Sequence, residues 1–187
     1  MYIEQLYTGC ISEAAYYIES EGEAAIIDPL RDVQPYIELA EKRKTKIVYV
    51  FETHFHADFV SGHIDLAKKT GAAIIFGPGA NTSYKVYNAK DKETFKLGKV
   101  EMEVIHTPGH TLESSCFLLK DEKGKPNAIF TGDTLFVGDV GRPDLLDGIA
   151  TKEQLAGLMY DSLQKINGVW VGAKPTPLAT TGLPPLT

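Results

Sequence analysis

The chain has two cysteines in 187 residues, Cys10 and Cys116, too few for a disulfide framework. A reduced, cytoplasmic setting is the expectation. No run of eighteen apolar residues occurs, so no membrane-spanning helix is expected. Met1 to Gln5 carry neither the basic patch nor the apolar run of a signal peptide. Lysine and arginine form no block and the net charge is -6, which argues against a nucleic-acid or anionic-membrane partner. No internal repeat of solenoid length is visible. What is present is an ordinary globular composition, long enough for one domain with a real core.

Taken in order, residues 2–7 alternate as a first strand. Ala14 to Glu19 and Glu23 to Ile27 flank Ser20-Glu21-Gly22 as an antiparallel hairpin, which Asp28-Pro29 stops. Val33, Tyr36, Ile37 and Ala40 fall at helical spacing, and a second short helix through Leu66 stops at Gly71. Short strands are expected at Ala72 to Phe76, Val100 to Ile105, Ser115 to Leu119 and Ala128 to Phe130. Residues 80–99 read as a surface excursion ending in a strand and a turn at Gly98, and 134–148 as a long loop. Thr151 caps a helix to about Ile166, with Glu153-Gln154 near its third position. The last 14 residues hold four prolines and four threonines without period, so an irregular tail is expected. The division is a domain over 1–168 and a tail over 169–187.

The most informative stretch is Ile47 to His63. A buried strand, Ile47 to Phe51, runs into His54-Phe55-His56-Ala57-Asp58, and three of the five histidines fall between positions 54 and 63. Extended backbone places i and i+2 on one side, so His54 and His56 can converge. Two imidazoles and a carboxylate at a strand-to-helix turn suit a borderline or hard divalent metal. His110 in Thr-Pro-Gly-His and Asp133 in Phe-Thr-Gly-Asp also follow apolar strands. Such ligands meet where strand ends share one rim of a sheet. Pro108-Gly109 aims the His110 ring, and Gly132 lets the backbone bend before Asp133.

In this order and spacing the set resembles the metallo-β-lactamase superfamily, from the N-terminal hairpin to about residue 165. The likeness implies an α/β fold, a four-layer αββα sandwich with metals at one edge, here C-terminally shortened. Residues 52–63 and 131–145 are most similar to the persulfide dioxygenase branch, of the bacterial type often fused to rhodanese domains. Those enzymes hold one Fe(II) and oxidise a thiol persulfide with O2 to sulfite and the free thiol. The superfamily's dinuclear hydrolases have a His directly after the motif Asp, where this chain has Phe59. They have another in a late Pro-Gly-His segment, whose nearest match, Val169 to Ala173, ends in Ala173. A phenyl ring and a methyl group cannot coordinate, so one metal per chain is expected.

The resemblance then implies His54, His110 and Asp133 as a two-histidine, one-carboxylate triad. His56 is a neighbouring or fourth ligand, and Asp58 a hydrogen-bonding support. The expected cofactor is one Fe(II), with zinc the alternative, because ligand type alone does not separate them. Expected partners are a small thiol persulfide and O2, with a homodimer and a rhodanese partner as further expectations. Two other functions compete: a zinc-dependent thioester hydrolase of glyoxalase II type, and a shortened, inactive metal-binding domain. Arg142 is a candidate for an anionic end of the substrate, against an ion pair with Asp144 or Asp139. His63 is expected to cap its helix or face solvent, His106 to be structural, and Cys116 to be a buried thiol. Cys10 lacks the basic neighbour a nucleophile needs.

Overall fold

The N-terminal hairpin turns on Glu21 and Gly22, both with positive φ (51° and 83°), the paired conformation that suits twisted strands. It joins β2 (Glu13–Ser20) to β3 (Glu23–Ile27), and β1 (Tyr2–Thr8) pairs antiparallel with β2. The chain is described here by a computed structural model covering residues 1–9, 13–146 and 148–170. Cys10, Ala173 and the expected tail from residue 171 onward lie outside the described residues.

After β3 the pairing turns parallel. Helix α1 (Gln34–Arg43) leads to β4 (Lys46–Glu52), and α2 (His63–Thr70) leads to β5 (Ala73–Phe76). Helix α2 ends at Gly71 as expected, and α1 ends at Lys44; both residues take the left-handed cap conformation. A two-residue β6 (Tyr87–Asn88) completes a six-stranded sheet in the order β1 to β6. The second sheet is an antiparallel meander of β7 (Thr94–Leu97), β8 (Val100–His106), β9 (Ser115–Lys120) and β10 (Pro126–Phe130).

Strand alternation builds the layers. Along β2, Ala14, Tyr16 and Ile18 face the second sheet, where they meet Met102, Val104, Phe117 and Phe130 in a central core. The intervening Ala15 and Tyr17 face outward and are covered by Val33, Tyr36 and Ala40 of the α1 segment. Ile105, Cys116, Leu118 and Ile129 of the second sheet are covered by α3 (Lys152–Trp170) through Ile166, with Val169 packed beside it. The result is the expected αββα sandwich. Helix α3 opens with a reciprocal cap: Gln154 N donates to Thr151 Oγ1 (3.2 Å) and Thr151 N donates to Gln154 Oε1 (2.9 Å). It runs past the expected end near Ile166 because its apolar face continues to Val169, so the tail does not begin at 169.

Candidate metal centre

Three loops converge where the two sheets meet. His54 lies two residues past the end of β4, and His110 lies in the loop joining β8 to β9. Asp133 sits in a single 3-10 turn, Gly132–Thr134, directly after β10. One donor atom from each lies within 4.8 Å of the others. His110 Nε2 stands 3.4 Å from Asp133 Oδ2, and the His54 and His110 rings stand nearly perpendicular at 4.9 Å. Backbone ties hold the loops together: Ser115 N donates to Thr53 O (2.8 Å), and Phe55 N donates to Glu113 Oε1 (2.9 Å).

Each imidazole is fixed by its other nitrogen. Thr53 Oγ1 donates to Asp28 Oδ2 (2.7 Å) and therefore accepts from His54 Nδ1 (2.9 Å). His110 Nδ1 donates to the carbonyl of Arg142 (3.1 Å). These partners assign the proton to Nδ1 in both rings and leave two Nε2 lone pairs for a common ligand. Burial, then the neighbouring His56 and His110, hold His54 well below the usual imidazole range. It is thus neutral, the form that binds a metal. Burial raises the Asp133 carboxyl, against the opposing pull of His110 and His56.

The local chain is built for this approach. Gly132 has φ +46°, and a Cβ there would lie 2.5 Å from Thr53 Oγ1. A Cβ on Gly141 would lie 1.8 Å from the Asp133 carbonyl oxygen and 3.1 Å from His110 Nδ1. Helix α3 braces the His110 turn from behind: Gly109 packs on Met159, and Ser162 Oγ donates to Pro108 O (2.7 Å). Asp28, at the end of β3, takes a positive φ (48°) unusual for a side-chain-bearing residue. Its Oδ1 accepts from Thr53 N (2.8 Å).

His56 is held differently. Its ring lies 4.2 Å from that of His54, but its Nε2 groups with Asp28 and Glu52, the donor atoms within 4.8 Å of one another. Burial pulls the His56 pKa down, and the charge of Asp28, followed by those of Glu52 and Asp133, outweighs it and leaves it at about 9. Phe59 stacks on His56 at 4.3 Å, an apolar ring beside the site. Asp58 is exposed and lines the mouth of the cavity, where it accepts no hydrogen bond from a described residue. The Arg142 guanidinium pairs with Asp144 (3.0 and 3.1 Å), so its expected contact with an anion competes with a formed ion pair.

His63 does not face solvent, as expected from sequence, nor does it cap α2, whose N-cap is Gly62. Its Nε2 meets Tyr84 Oη (2.7 Å) and its Nδ1 meets Ser61 Oγ (2.9 Å). The cause is Tyr84, which comes from the 80–99 excursion and covers the ring. His106 is structural, its Nε2 donating to Leu112 O (2.9 Å). Cys116 is a buried thiol raised to about 11 by burial. Sequence reasoning missed Asp28, Thr53, Glu52 and Glu13, which support or flank the ligands. The signal available was an acidic residue at each end of an apolar strand.

Comparison with known proteins agrees with this layout. The family model described as metallo-beta-lactamase superfamily matches residues 8–171. The chain belongs to the metallo-beta-lactamase superfamily. The probable hydroxyacylglutathione hydrolase glo2 of Schizosaccharomyces pombe is 39% identical over 121 residues, 63% of this chain and 46% of that protein. The cytoplasmic hydroxyacylglutathione hydrolase of Arabidopsis thaliana is 32% identical over 159 residues, 82% of this chain and 58% of that protein. The chain spans about half the length of these curated relatives. Among solved structures, a metallo-beta-lactamase from Staphylococcus aureus subsp. aureus COL superposes with a TM-score of 0.84 at 37% identity, covering 94% of this chain and 55% of that one. ETHE1 from Myxococcus xanthus superposes at 0.78 with 27% identity, covering 94% and 75%. In this superfamily member, His54, His110 and Asp133 fit a metal cofactor by donor type, tautomer and convergence. No helix among the described residues is long and apolar enough to cross a membrane.

Proposed function

We propose that this chain is a metal-dependent enzyme holding one Fe(II), a persulfide dioxygenase that converts a small thiol persulfide and O2 to sulfite and thiol. The observation that carries the reading is the convergence of His54, His110 and Asp133, two imidazoles and one carboxylate, with a phenyl ring at position 59 stacked on the neighbouring His56. Those three residues would hold the ion, and two imidazoles with one carboxylate are the donor set non-haem Fe(II) uses for O2 chemistry. When bound there, iron supplies the electron exchange between O2 and sulfur. The chain's own part is positioning. Asp28 and Thr53 lock His54, and the Arg142 carbonyl locks His110, so each ring turns its Nε2 toward the common site. Tyr16, Phe59 and Phe130 line one side of the small adjoining cavity, whose other side carries Glu13, Asp28, His56, Asp58 and Asp133. The likeness to ETHE1, on the branch the sequence motifs resemble, supports the reading.

A second reading is favoured by a different observation, the hydroxyacylglutathione hydrolase names of the curated relatives. It is a zinc-dependent thioester hydrolase, in which the same ligands hold the ion that activates water. The deciding experiment is elemental analysis of freshly purified protein, followed by oxygen uptake with glutathione persulfide. About one iron per chain and stoichiometric sulfite are expected. Bound zinc with thioester cleavage and no oxygen uptake would replace the first reading by the second.

A further inference from the structure

A buried polar group joins two of the ligand-bearing turns. Thr107 and Thr134 are 0% and 1% exposed, and their hydroxyls meet at 2.9 Å. Thr107 follows β8 at the head of the turn that carries His110, and Thr134 directly follows Asp133 in its 3-10 turn. The Cys116 thiol of β9 completes the group, 3.4 Å from Thr107 Oγ1 and donating to the Thr131 carbonyl at 3.6 Å.

Packing alone does not call for hydroxyls here, since Val fills the same space as Thr. A hydroxyl buried without a partner bears the full cost of its desolvation, so these two hold each other at hydrogen-bond distance. Apolar carbons approach only to about 3.5–4.0 Å. Methyl groups in place of both hydroxyls would therefore push the two turns apart by up to roughly 1 Å. The ligand atoms those turns carry, His110 Nε2 and Asp133 Oδ2, stand 3.4 Å from each other. A working constellation has to be held to within about 0.5 Å, so a shift of that size decides whether the ligands still converge.

We propose that Thr107 and Thr134 are positioning residues of the metal centre, whose hydroxyl bond sets the distance between His110 and Asp133 and with it the affinity for the ion. They act through the turns that carry the ligands. The bond differs in kind from the ties already described: Ser162 and the Arg142 carbonyl hold the His110 turn from its own side, whereas Thr107 and Thr134 connect it to the Asp133 turn. The inference rests on the reading of His54, His110 and Asp133 as ligands, and it is the same for iron and for zinc.

The test uses metal-stripped full-length protein titrated with Co²⁺ alone. Visible absorption reads both the affinity and the ligand geometry, and thermal melting of the metal-free protein is recorded alongside. Thr134→Val is expected to weaken Co²⁺ binding at least tenfold and to shift the absorption bands. Thr134→Ser keeps the hydroxyl and is expected to stay within about threefold of wild type. In the double variant of Thr107→Val and Thr134→Val neither hydroxyl is left unpaired. Its melting temperature is expected to return toward that of wild type while Co²⁺ binding stays at least tenfold weaker. Should the single Val variant not fold, the double one carries the comparison. Wild-type affinity in a Val variant, or equal losses in the Ser and Val variants, would overturn the proposal. So would an affinity that recovers together with the melting temperature in the double variant, which marks a role in stability alone. A wild type that takes up no Co²⁺ would remove the ligand reading and this proposal with it, whereas uptake by wild type leaves that reading standing whatever the variants do.

Discussion

Two clusters share the rim of this fold, and they are finished to different degrees. In the first, His54 and His110 each have one nitrogen anchored, to Thr53 and to the Arg142 carbonyl, and the other left for Asp133's neighbourhood. In the second, Glu13 is as deeply buried with neither oxygen hydrogen-bonded, and His56 is held by the charge of Asp28, 3.0 Å from its Nε2. The contrast teaches that burial alone does not define a site. An anchored ligand is oriented before anything binds, whereas an unanchored acid is held in place only by the backbone that carries it.

The largest effect should come from breaking the anchored cluster itself. Asp133→Ala removes its only carboxylate, and the bound metal is expected to fall from about one per chain to near zero. The far-UV circular dichroism should be unchanged, because the residue sits in a short turn after β10 and not within a strand. Retained metal in this variant would mean that the ion is not held by this group, and the site would be wrongly drawn.

Much of the anchored cluster is legible in the sequence because its ligands sit in punctuated turns. Thr-Pro-Gly-His and Phe-Thr-Gly-Asp carry their own geometry, and Gly132 shows the positive φ that the motif suggests. The second cluster is not legible in the same way. Asp28 reads as a strand stop before Pro29, but its carboxylate reaches Thr53 only because β3 and β4 pair in parallel, in a register that places Ile27 beside Phe51. Glu13 reads as one more charge ahead of an apolar strand, and its confinement depends on β10 arriving from the other sheet. His63 fails for the same reason. A helix pattern states which face is apolar, but not that Tyr84 will cover the polar end. Local turn chemistry is written in consecutive residues, whereas lateral packing is not.

Glycine substitutions sharpen the comparison next. At Gly132 a methyl group would meet both a left-handed φ and Thr53 at 2.5 Å, so Gly132→Ala should cost about 2–4 kcal/mol and displace the Asp133 turn. Gly124 has φ +72° with nothing within 4 Å of its added Cβ. Gly124→Ala should therefore cost only about 1 kcal/mol, the backbone share. Equal losses in chemical denaturation would show that the close approach to Thr53 does not matter.

Thr53 is the residue that both clusters use, since its hydroxyl takes the His54 proton and gives its own to Asp28. Thr53→Val keeps the shape and removes both bonds. Affinity for the metal should fall about 10–100-fold, the usual consequence of losing a ligand's orienting partner. Isothermal titration with the metal would read this directly. An unchanged affinity would mean that His54 is aimed by packing alone.

The smallest effect is expected from the carboxylate that makes the contrast with Glu13 on the same strand. Glu19, near the far end of β2, accepts from Arg43 through Nε (2.5 Å) and Nη2 (2.7 Å) and from Tyr17 Oη (2.9 Å). The Arg43 hydrogen bonds hold its carboxyl below the usual carboxylate range, against burial. A depressed folded-state pKa contributes stability above the unfolded value, about 4.3, and that contribution disappears as pH falls through the folded value. The pair is partly exposed, so the term is small. Glu19→Gln should lower the melting temperature slightly at pH 7, and the gap to wild type should close on acidification. A gap that persisted below pH 3 would show that Glu19 acts through packing on Tyr17 and not through its charge. It would then no longer serve as the paired counterpart to Glu13.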